Sequence, residues 1–314
     1  MENRIEIQQY IPALQPEWDC FIANSRNGTF LFFRNYMDYH SDRFIDNSLL
    51  FRYRGKLIAV LPANREGDIL WSHQGLTYGG LILSSKCTAD RVLGIFSLLS
   101  SWLSERGFSK LVYKCIPDIY HRYPSQEDLY ALFRNNARLV ARNLSTTVSL
   151  SCRMPFSQLR RRGIRKALSF GITVQESSDL ESFWQVLSEN LSDRYHKRPV
   201  HTVEEISLLR SRFPNNIRLF TACKGERVVA GCVIFEMDKW VHSQYISASS
   251  EGKELGALDL LFHYLITDRY SDREVFDFGQ STEDKGYFLN SGLIAQKEGF
   301  GGRGIVYDTY ELSW

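Results

Sequence analysis

The chain has 314 residues, of which 44% are hydrophobic and 24% are charged, a composition typical of a globular protein of about two domains. Its 38 basic and 36 acidic side chains leave a formal charge of +2, which argues against DNA as a partner because no strong overall field attracts it. Any basic site must therefore be local.

The six cysteines form no CxxC pair and have no histidines at zinc spacing, which predicts a reduced cytoplasmic protein without a metal site. His196 and His201 stand close together, but no third ligand lies near them in the sequence. Three of the first ten residues are charged, which is wrong for a signal peptide. The best uncharged apolar segment, 92–104, holds four serines in 13 residues and is too short to span a membrane.

The two halves of the chain repeat one order of elements, which indicates a duplication. Each half has two apolar strands around a turn glycine, Gly55 or Gly225, then a strand with a tryptophan, Trp71 or Trp240. The glycines are 170 residues apart and the tryptophans 169. The elements predicted in chain order are strands 49–53, 57–61 and 68–72, helix 91–106 and strand 110–115, then strands 218–223, 228–234 and 239–246, helix 255–269 and strand 274–278.

This order predicts an α+β fold in which an antiparallel meander enters a βα crossover, once in each half. We predict two domains, residues 1–150 and 151–314, with a basic helix at 155–169 opening the second. The chain has only eight prolines and no Ser/Gly tract, so the domains are expected to follow each other without a flexible linker.

The basic helix places five positive charges within seven residues, interleaved with apolar residues at helical spacing. Three of the arginines, Arg161, Arg162 and Arg165, are candidates for binding the phosphate of a nucleotide-linked substrate or an RNA end. The same pattern is equally typical of a solvated helix face.

A short segment before the helix at 255–269 is the predicted site for the pyrophosphate of a donor. Backbone N–H groups and a helix dipole can receive an anion there, and glycines permit its close approach. The candidate residues are Ser250, Gly252, Lys253, Gly256 and Ala257. The alternative is that Gly252 only forms a turn. The corresponding segment of the first half, 84–90, has no glycine, so we place the anion site in the second half.

The segment from residue 276 onward is the richest in polar groups. Asp277 stands between two phenylalanines, so on a buried strand it needs a partner, for which Lys297 is the candidate. A purely structural ion pair is the alternative to catalysis. Residues 299–304 have the spelling GxGxxG, but too little chain follows them for a dinucleotide-binding unit.

Strict alternation along the strand at 239–246 places His242 on one face and Tyr245 on the other. A histidine can act as a base at neutral pH. A single histidine on a strand is more often simply hydrogen-bonded, so His242 ranks below the other candidates.

The sequence resembles the tandem GNAT-fold acyltransferases, and among them the Fem-like branch that includes the cell-wall peptidyltransferases. The resemblance rests on Trp18 with Gly-Thr-Phe at 28–30, Gly-Gly-Leu at 79–81, the basic segment 161–167, and the final FDFGQS and KEGFGG at 276–281 and 297–302. It implies two tandem GNAT-like domains, each a twisted mixed sheet flanked by helices, whose separated central strands accept an acyl-carrying arm. The Q/R-x-x-G-x-G/A loop of ordinary GNAT enzymes is matched only in part, at 253–258.

Amide formation needs a neutral amine, a stabilised oxyanion and a proton for the leaving group. By resemblance, Lys297 stabilises the oxyanion or a substrate phosphate. The further candidates are Asp277, Glu283 and Asp284 for accepting the amine proton, Tyr287 or Tyr245 for returning one, and Ser281 and Asn290, with the three arginines, for binding substrate.

The leading hypothesis is a cytoplasmic N-acyltransferase that moves an acyl group, in the first place acetyl, from acyl-CoA to an amine of a nucleotide-linked sugar or cell-envelope precursor. The first domain would bind this acceptor and keep only a degenerate donor site, while the second would hold the donor and the chemistry. One alternative is a peptidyltransferase that uses aminoacyl-tRNA and acts on a peptidoglycan precursor. Another is a non-catalytic binding module.

Overall fold

The computed structural model describes residues 5–195 and 198–314, with the backbone alone at 193–195. Residues 1–4, which entered the signal-peptide argument, and His196 lie outside the described residues. The chain divides into a first unit, Met1–Asn143 with Asp284–Tyr287 and Val306–Trp314, and a second unit, Leu144–Glu283 with Phe288–Ile305. Residues 144–150 thus belong to the second unit and Val306–Trp314 to the first, whereas the predicted boundary assigned them the other way.

The secondary-structure elements are numbered in chain order. The strands are β1 (Ile5–Gln9), β2 (Ile45–Asp46), β3 (Leu49–Tyr53), β4 (Lys56–Leu61), β5 (Asn64–Glu66), β6 (Ile69–Trp71), β7 (Ile82–Leu83), β8 (Lys110–Lys114), β9 (Arg138–Ser149), β10 (Ile172–Ser177), β11 (Ile217–Lys224), β12 (Arg227–Glu236), β13 (Trp240–Ala248), β14 (Val275–Gln280), β15 (Thr282–Glu283), β16 (Phe288–Leu289) and β17 (Arg303–Ser313). The α-helices are α1 (Gln15–Asn24), α2 (Arg34–Met37), α3 (Ala89–Ser104), α4 (Glu127–Arg134), α5 (Gln158–Ser169), α6 (Leu180–Tyr195), α7 (Val203–Arg212), α8 (Ser250–Leu255), α9 (Ala257–Tyr264) and α10 (Ser291–Glu298). A π-helical turn, Leu265–Arg269, continues α9.

The second unit is built on a sheet with the order β10-β11-β12-β13-β14-β9. All neighbours are antiparallel except β13 and β14, which run parallel. Its main core packs the sheet against α5 and α9, because the apolar stripes of these helices, with Ile164 and Leu261, cover the buried strand residues. A mixed sheet flanked by helices confirms the predicted fold class.

Strands β13 and β14 pair over only three residues each, Trp240–His242 with Val275–Asp277. Beyond His242 the strand β13 continues to Ala248 beside β12 alone, while β14 continues beside β9. The two parallel strands therefore separate in the middle of the sheet.

A β-bulge in β13 overturns the predicted alternation of its side chains. Tyr245 pairs with Val233 and Ser243 with Ile234, so Gln244 has no partner residue on β12. His242 pairs with Phe235, two residues from Val233, and residues two apart on a strand share a face. His242 and Tyr245 therefore lie on the same face, and their predicted placement on opposite faces is wrong.

The first unit contains one sheet of order β1-β3-β4-β7, and β8 pairs with β6 and β17 in another. The strand with Trp71, β6, pairs in parallel with β8 over three residues, as β13 pairs with β14, which agrees with the predicted correspondence of the two tryptophan strands. The neighbour of β4 is β7, so two short strands of the first unit, β6 and β7, take the place of the single strand β13. Helix α3 covers a core that contains Val92, Phe96 and Leu99.

The predicted helix 255–269 is divided at Gly256, where α8 ends and α9 begins. Gly256 has a left-handed φ of 75°, and a Cβ atom there would lie 2.6 Å from the carbonyl oxygen of Gly163 on α5. This glycine therefore permits both the break and the close approach of α5.

Gly256→Ala should destabilise the protein more than Gly225→Ala. Both glycines have positive φ, which costs alanine about 1–2 kcal/mol, but a Cβ at Gly225 would meet no atom within 4 Å. The overlap at Gly256 should add about 1–3 kcal/mol to the loss of unfolding free energy, measured by urea denaturation. Equal losses for the two variants would contradict the close packing of α5.

Candidate active site

The carboxylate of Asp277 is fully buried on β14. Phe276 and Phe278 on either side of it point into the core, so alternation turns Asp277 to the opposite face. Ser145 Oγ donates a hydrogen bond to Oδ1 at 2.7 Å, and the backbone N–H of Gly279 donates another at 2.9 Å. A carboxylate this deep needs such partners, because unsatisfied burial of a charge is costly.

His242 is the third partner of this carboxylate. It stands opposite Asp277 in the parallel register, with its Nδ1 at 2.8 Å from Asp277 Oδ2. Since an ionised carboxylate only accepts hydrogen bonds, Nδ1 carries the hydrogen of this bond, and in the neutral imidazole the lone pair is then on Nε2. The arrangement suits a histidine base oriented by an acid. Sequence reasoning ranked His242 too low, because the strand register that brings it to Asp277 has no local signal.

Gly279 leaves space beside the imidazole ring. It has a φ of 74°, and a Cβ atom there would lie 3.3 Å from His242 Cε1. A larger residue would be strained and would crowd the ring, so the glycine of the FDFG segment serves this contact.

Lys297 lies on α10 with only 4% of its surface exposed. Its Nζ donates to the carbonyl oxygens of Gly279 and Gln280, both at 2.8 Å. Burial lowers the pKa of Lys297 to about 8, although the negative charge of Asp277 acts in the opposite direction. The hydrogen-bond partners of the Asp277 carboxylate are thus His242 and Ser145 rather than the predicted Lys297. The ammonium of Lys297 instead binds the carbonyl groups at the end of β14.

Two unsatisfied polar groups lie where β13 and β14 separate. Within the described residues, the buried Oε1 of Gln244 and Oγ of Ser281 have no hydrogen-bond partner. Buried polar atoms are normally satisfied, so these two are suited to the amide groups of an extended substrate. Asn290, also predicted to bind substrate, instead caps α10, since its Oδ1 accepts from the N–H of Leu293 at 3.0 Å.

The remaining catalytic candidates do not join this group. Tyr245 is buried on the same face as His242, and its hydroxyl contacts the backbone N–H and Nδ1 of His201. Glu283 and Asp284 are exposed in the hairpin region of β15 and β16, and the side chain of Tyr287 is 86% exposed. Exposed carboxylates of this kind are poorly placed to act inside a buried site.

The glycines of the predicted donor segment pack against protein backbone. A Cβ at Gly252 would lie 2.2 Å from the carbonyl oxygen of Val229, as Gly256 lies against α5. Gly252, Lys253 and Gly256 nevertheless line a cavity of about 420 Å³ that α10 closes with Gly292 and Ala295.

The other members of the predicted set do not line this cavity. Ser250 begins α8, and Ala257 is fully buried at the start of α9. The amine of Lys253 donates to Asn190. Sequence reasoning missed the ion pair between Arg160 and Asp259, at 2.5 Å, whose residues also line the cavity.

The structure brings Arg161, Arg162 and Arg165 together around a second cavity, of about 880 Å³. Arg153 adds a fourth guanidinium, and among the residues that the structure describes no acidic side chain lines the space. Met154, Phe156 and Ile164 give it an apolar wall. The cavity combines positive charge with apolar surface, which suits a phosphate-bearing organic ligand.

Comparisons with known proteins agree with this fold. Residues 157–288 match the family described as acetyltransferase (GNAT) domain. A crystal structure of FemX is similar over 98% of this chain and 97% of its own, with a TM-score of 0.67 and 11% identity. The structure of L-PGS from Bacillus licheniformis is similar over 96% of this chain and 90% of its own, with a TM-score of 0.62 and 14% identity. A tandem GNAT protein from the clavulanic acid biosynthesis pathway is similar over 99% of this chain and 98% of its own, with a TM-score of 0.54 and 10% identity.

A search of curated protein sequences finds no match. Among the described residues, no helix is both long and apolar enough to cross a membrane. In the same part of the chain, no three histidine, cysteine or acidic side chains are grouped so that they could hold a metal ion.

The lowered pKa of Lys297 predicts a pH-dependent stability. Between a folded pKa of about 8 and the ordinary 10.5, the unfolded chain binds more protons at this site, so stability rises with pH. Relative to Lys297→Met, the wild-type protein should gain up to about 3 kcal/mol in unfolding free energy from pH 7.5 to 10.5. Urea unfolding at several pH values measures this gain.

The exposed Lys166 provides the control, because Lys166→Met should differ from wild type by an amount that is constant over the same range. A constant difference for Lys297→Met as well would show that burial does not shift this amine.

Proposed function

We propose that the chain is an acyltransferase that acylates amines, because residues 157–288 match the GNAT acetyltransferase domain and the fold is similar to that of FemX and of a tandem GNAT protein. The donor we propose is an acyl-CoA, in the first place acetyl-CoA. The acceptor is an amine of a nucleotide-linked sugar or cell-envelope precursor. The observation that carries the proposal is the buried His242–Asp277 pair at the point where β13 and β14 separate.

His242 acts as the general base in this mechanism. An amine acceptor is protonated near neutral pH and must lose a proton before its nitrogen can bond to the acyl carbon. His242 Nε2 accepts that proton, and Asp277 stabilises the imidazolium and holds the ring in its orientation. When the C–N bond has formed and the C–S bond breaks, the same imidazolium returns its proton to the leaving thiolate, and the nitrogen, which still carries one proton more than the amide keeps, releases that proton to solvent.

Lys297 supports the developing negative charge. Its pKa of about 8 keeps it largely protonated at pH 7, in a site with little water. Held on the carbonyls of Gly279 and Gln280, its ammonium fixes the end of β14 and adds positive charge near the reacting carbonyl.

The residues between β13 and β14 fit an extended donor arm. Gln244 Oε1 and Ser281 Oγ offer hydrogen-bonding capacity that the described protein groups do not use. The cavity at Gly252, Lys253 and Gly256 lies at the start of the next helices and is large enough for the phosphate-bearing end of a cofactor-sized molecule. These features support an acyl-CoA donor in the second unit.

An aminoacyl-tRNA donor is the second candidate, as in the peptidyltransferase hypothesis. The observation that favours it is the cavity with Arg153, Arg161, Arg162 and Arg165, which would hold RNA phosphates. With an acyl-CoA donor, the same cavity would bind the phosphate of the acceptor. We do not propose a non-catalytic binding module, because the family that the domain matches is an acetyltransferase family.

His242→Ala should lower kcat by about 100-fold or more, with little effect on the KM for acetyl-CoA. The loss should shrink as pH rises, because amines that are already neutral no longer need a base. Release of free thiol from acetyl-CoA, in the presence of UDP-linked amino sugars, measures the rate. Tyr287→Phe, at an exposed position, is the control and should behave like wild type. A pH-independent loss for His242→Ala would contradict the base assignment.

A pair of tryptophan substitutions distinguishes the two donors. Ala295→Trp fills the cavity beside Gly252 and should abolish acetyl-CoA binding in calorimetry, while Gln158→Trp, in the arginine-lined cavity, should not. If acetyl-CoA does not bind, and deacylated tRNA binds in a salt-sensitive way that Gln158→Trp weakens, the peptidyltransferase hypothesis replaces the acyl-CoA one.

A further inference from the structure

The first unit has a segment that makes the same backbone hydrogen bond as the donor segment of the second unit. The N–H of Ser84, just after β7, donates to the carbonyl of Ile58 on β4 at 2.9 Å. The N–H of Ser249, just after β13, donates to the carbonyl of Val229 on β12, also at 2.9 Å. This correspondence aligns Ser84-Ser85-Lys86 with Ser249-Ser250-Glu251, so a lysine stands where the second unit has a glutamate.

In the second unit, the carboxylate of Glu251 offsets part of the positive charge of the neighbouring hairpin. Its carboxylate pairs with Lys224 at 2.9 Å and also with Arg227, on the two strands that flank the turn. The hydrogen bond from Lys224 is the main cause that lowers the pKa of Glu251. One carboxylate thus faces two cations, which leaves a net charge of +1 among these three residues.

In the first unit, the same place is a cavity with positive charge and no carboxylate. The space, about 430 Å³, is lined by Arg54 and Lys56 of the β3–β4 hairpin and by Lys86 and Arg91 around the start of α3. No acidic residue lines it in the part of the chain that the structure describes. Lysine in place of glutamate thus replaces an ion-paired contact by a cavity lined by four cationic side chains and no carboxylate among the described residues.

Arg91 is held in position for such a role. Its guanidinium lies over the ring of Tyr53, 4.5 Å from the centroid, and donates to the carbonyl of Lys86 at 2.7 Å. Phe21 and Ile58 give the cavity an apolar side. Two serines, Ser84 and Ser85, add hydroxyl donors.

We propose that this cavity is an anion site of the first unit, which binds the phosphate or diphosphate group of a small organic ligand through Lys56, Lys86 and Arg91. The site differs from the one expected from the glycines, which favoured an anion site of that type in the second half. It does not depend on the acyl-transfer reaction. The apolar side favours the phosphate of a nucleotide-sized molecule over inorganic phosphate or an RNA backbone.

Titration of the full chain with inorganic pyrophosphate and with ADP tests the proposal. Lys86→Glu recreates the charge of the second unit and should weaken both ligands at least about tenfold, since a charged hydrogen bond contributes about 1.5–3 kcal/mol. Lys285→Glu makes the same change in net charge at an exposed residue of the first unit and should leave binding within about twofold.

Hydrogen exchange shows where the ligand binds. ADP should protect the amides of 84–91, whereas binding at the donor segment would protect 249–257. Absence of binding at millimolar concentrations, equal weakening by the two variants, or protection confined to 249–257 would each overturn the proposal. Tighter binding of deacylated tRNA that is lost in Lys86→Glu would also overturn it, in favour of an RNA surface.

Discussion

A carboxylate without access to water, that of Asp277, determines the arrangement of the second unit's centre. It lies on a strand whose neighbouring phenylalanines belong to the core, so it cannot turn toward solvent without disrupting that packing. Its hydrogen bonds therefore have to come from the protein, and they tie β9 through Ser145 and β13 through His242 to β14. The bonds that make its burial tolerable also orient the imidazole.

The separation of two parallel strands gives this buried pair access to a substrate. If β13 and β14 were paired along their whole length, the backbone N–H and C=O groups beyond His242 would be hydrogen-bonded to the neighbouring strand. Pairing over three residues, together with the bulge at Gln244, ends the ladder at the position of the histidine. Lys297 stabilises this opening, because its hydrogen bonds to the carbonyls of Gly279 and Gln280 replace those that a neighbouring strand would give.

Local patterns predicted a large part of the fold. The hairpin β11–β12 and helix α5 were found because turn glycines and helical spacing act over a few residues. The bulge at Gln244 has no such local signal, and it reversed the faces expected for His242 and Tyr245. The strands of Trp71 and Trp240 correspond in their parallel pairing, but no local signal showed that the first unit divides this strand into β6 and β7. Asp277 was recognised, but its partner depends on a register between residues far apart in sequence.

The first unit is assembled from segments that lie far apart in the sequence, and this restricts the order in which the chain can fold. Strand β17 pairs with β8 in that unit, joining Thr309 to Lys114 across 195 residues of sequence. During synthesis the first unit therefore cannot complete its sheet until β17 has been made, and in the sequence β17 follows every other strand of both units. Until then the edge of β8 that β17 covers has no partner strand, so the nascent amino-terminal half exposes a β-edge on which aggregation can begin.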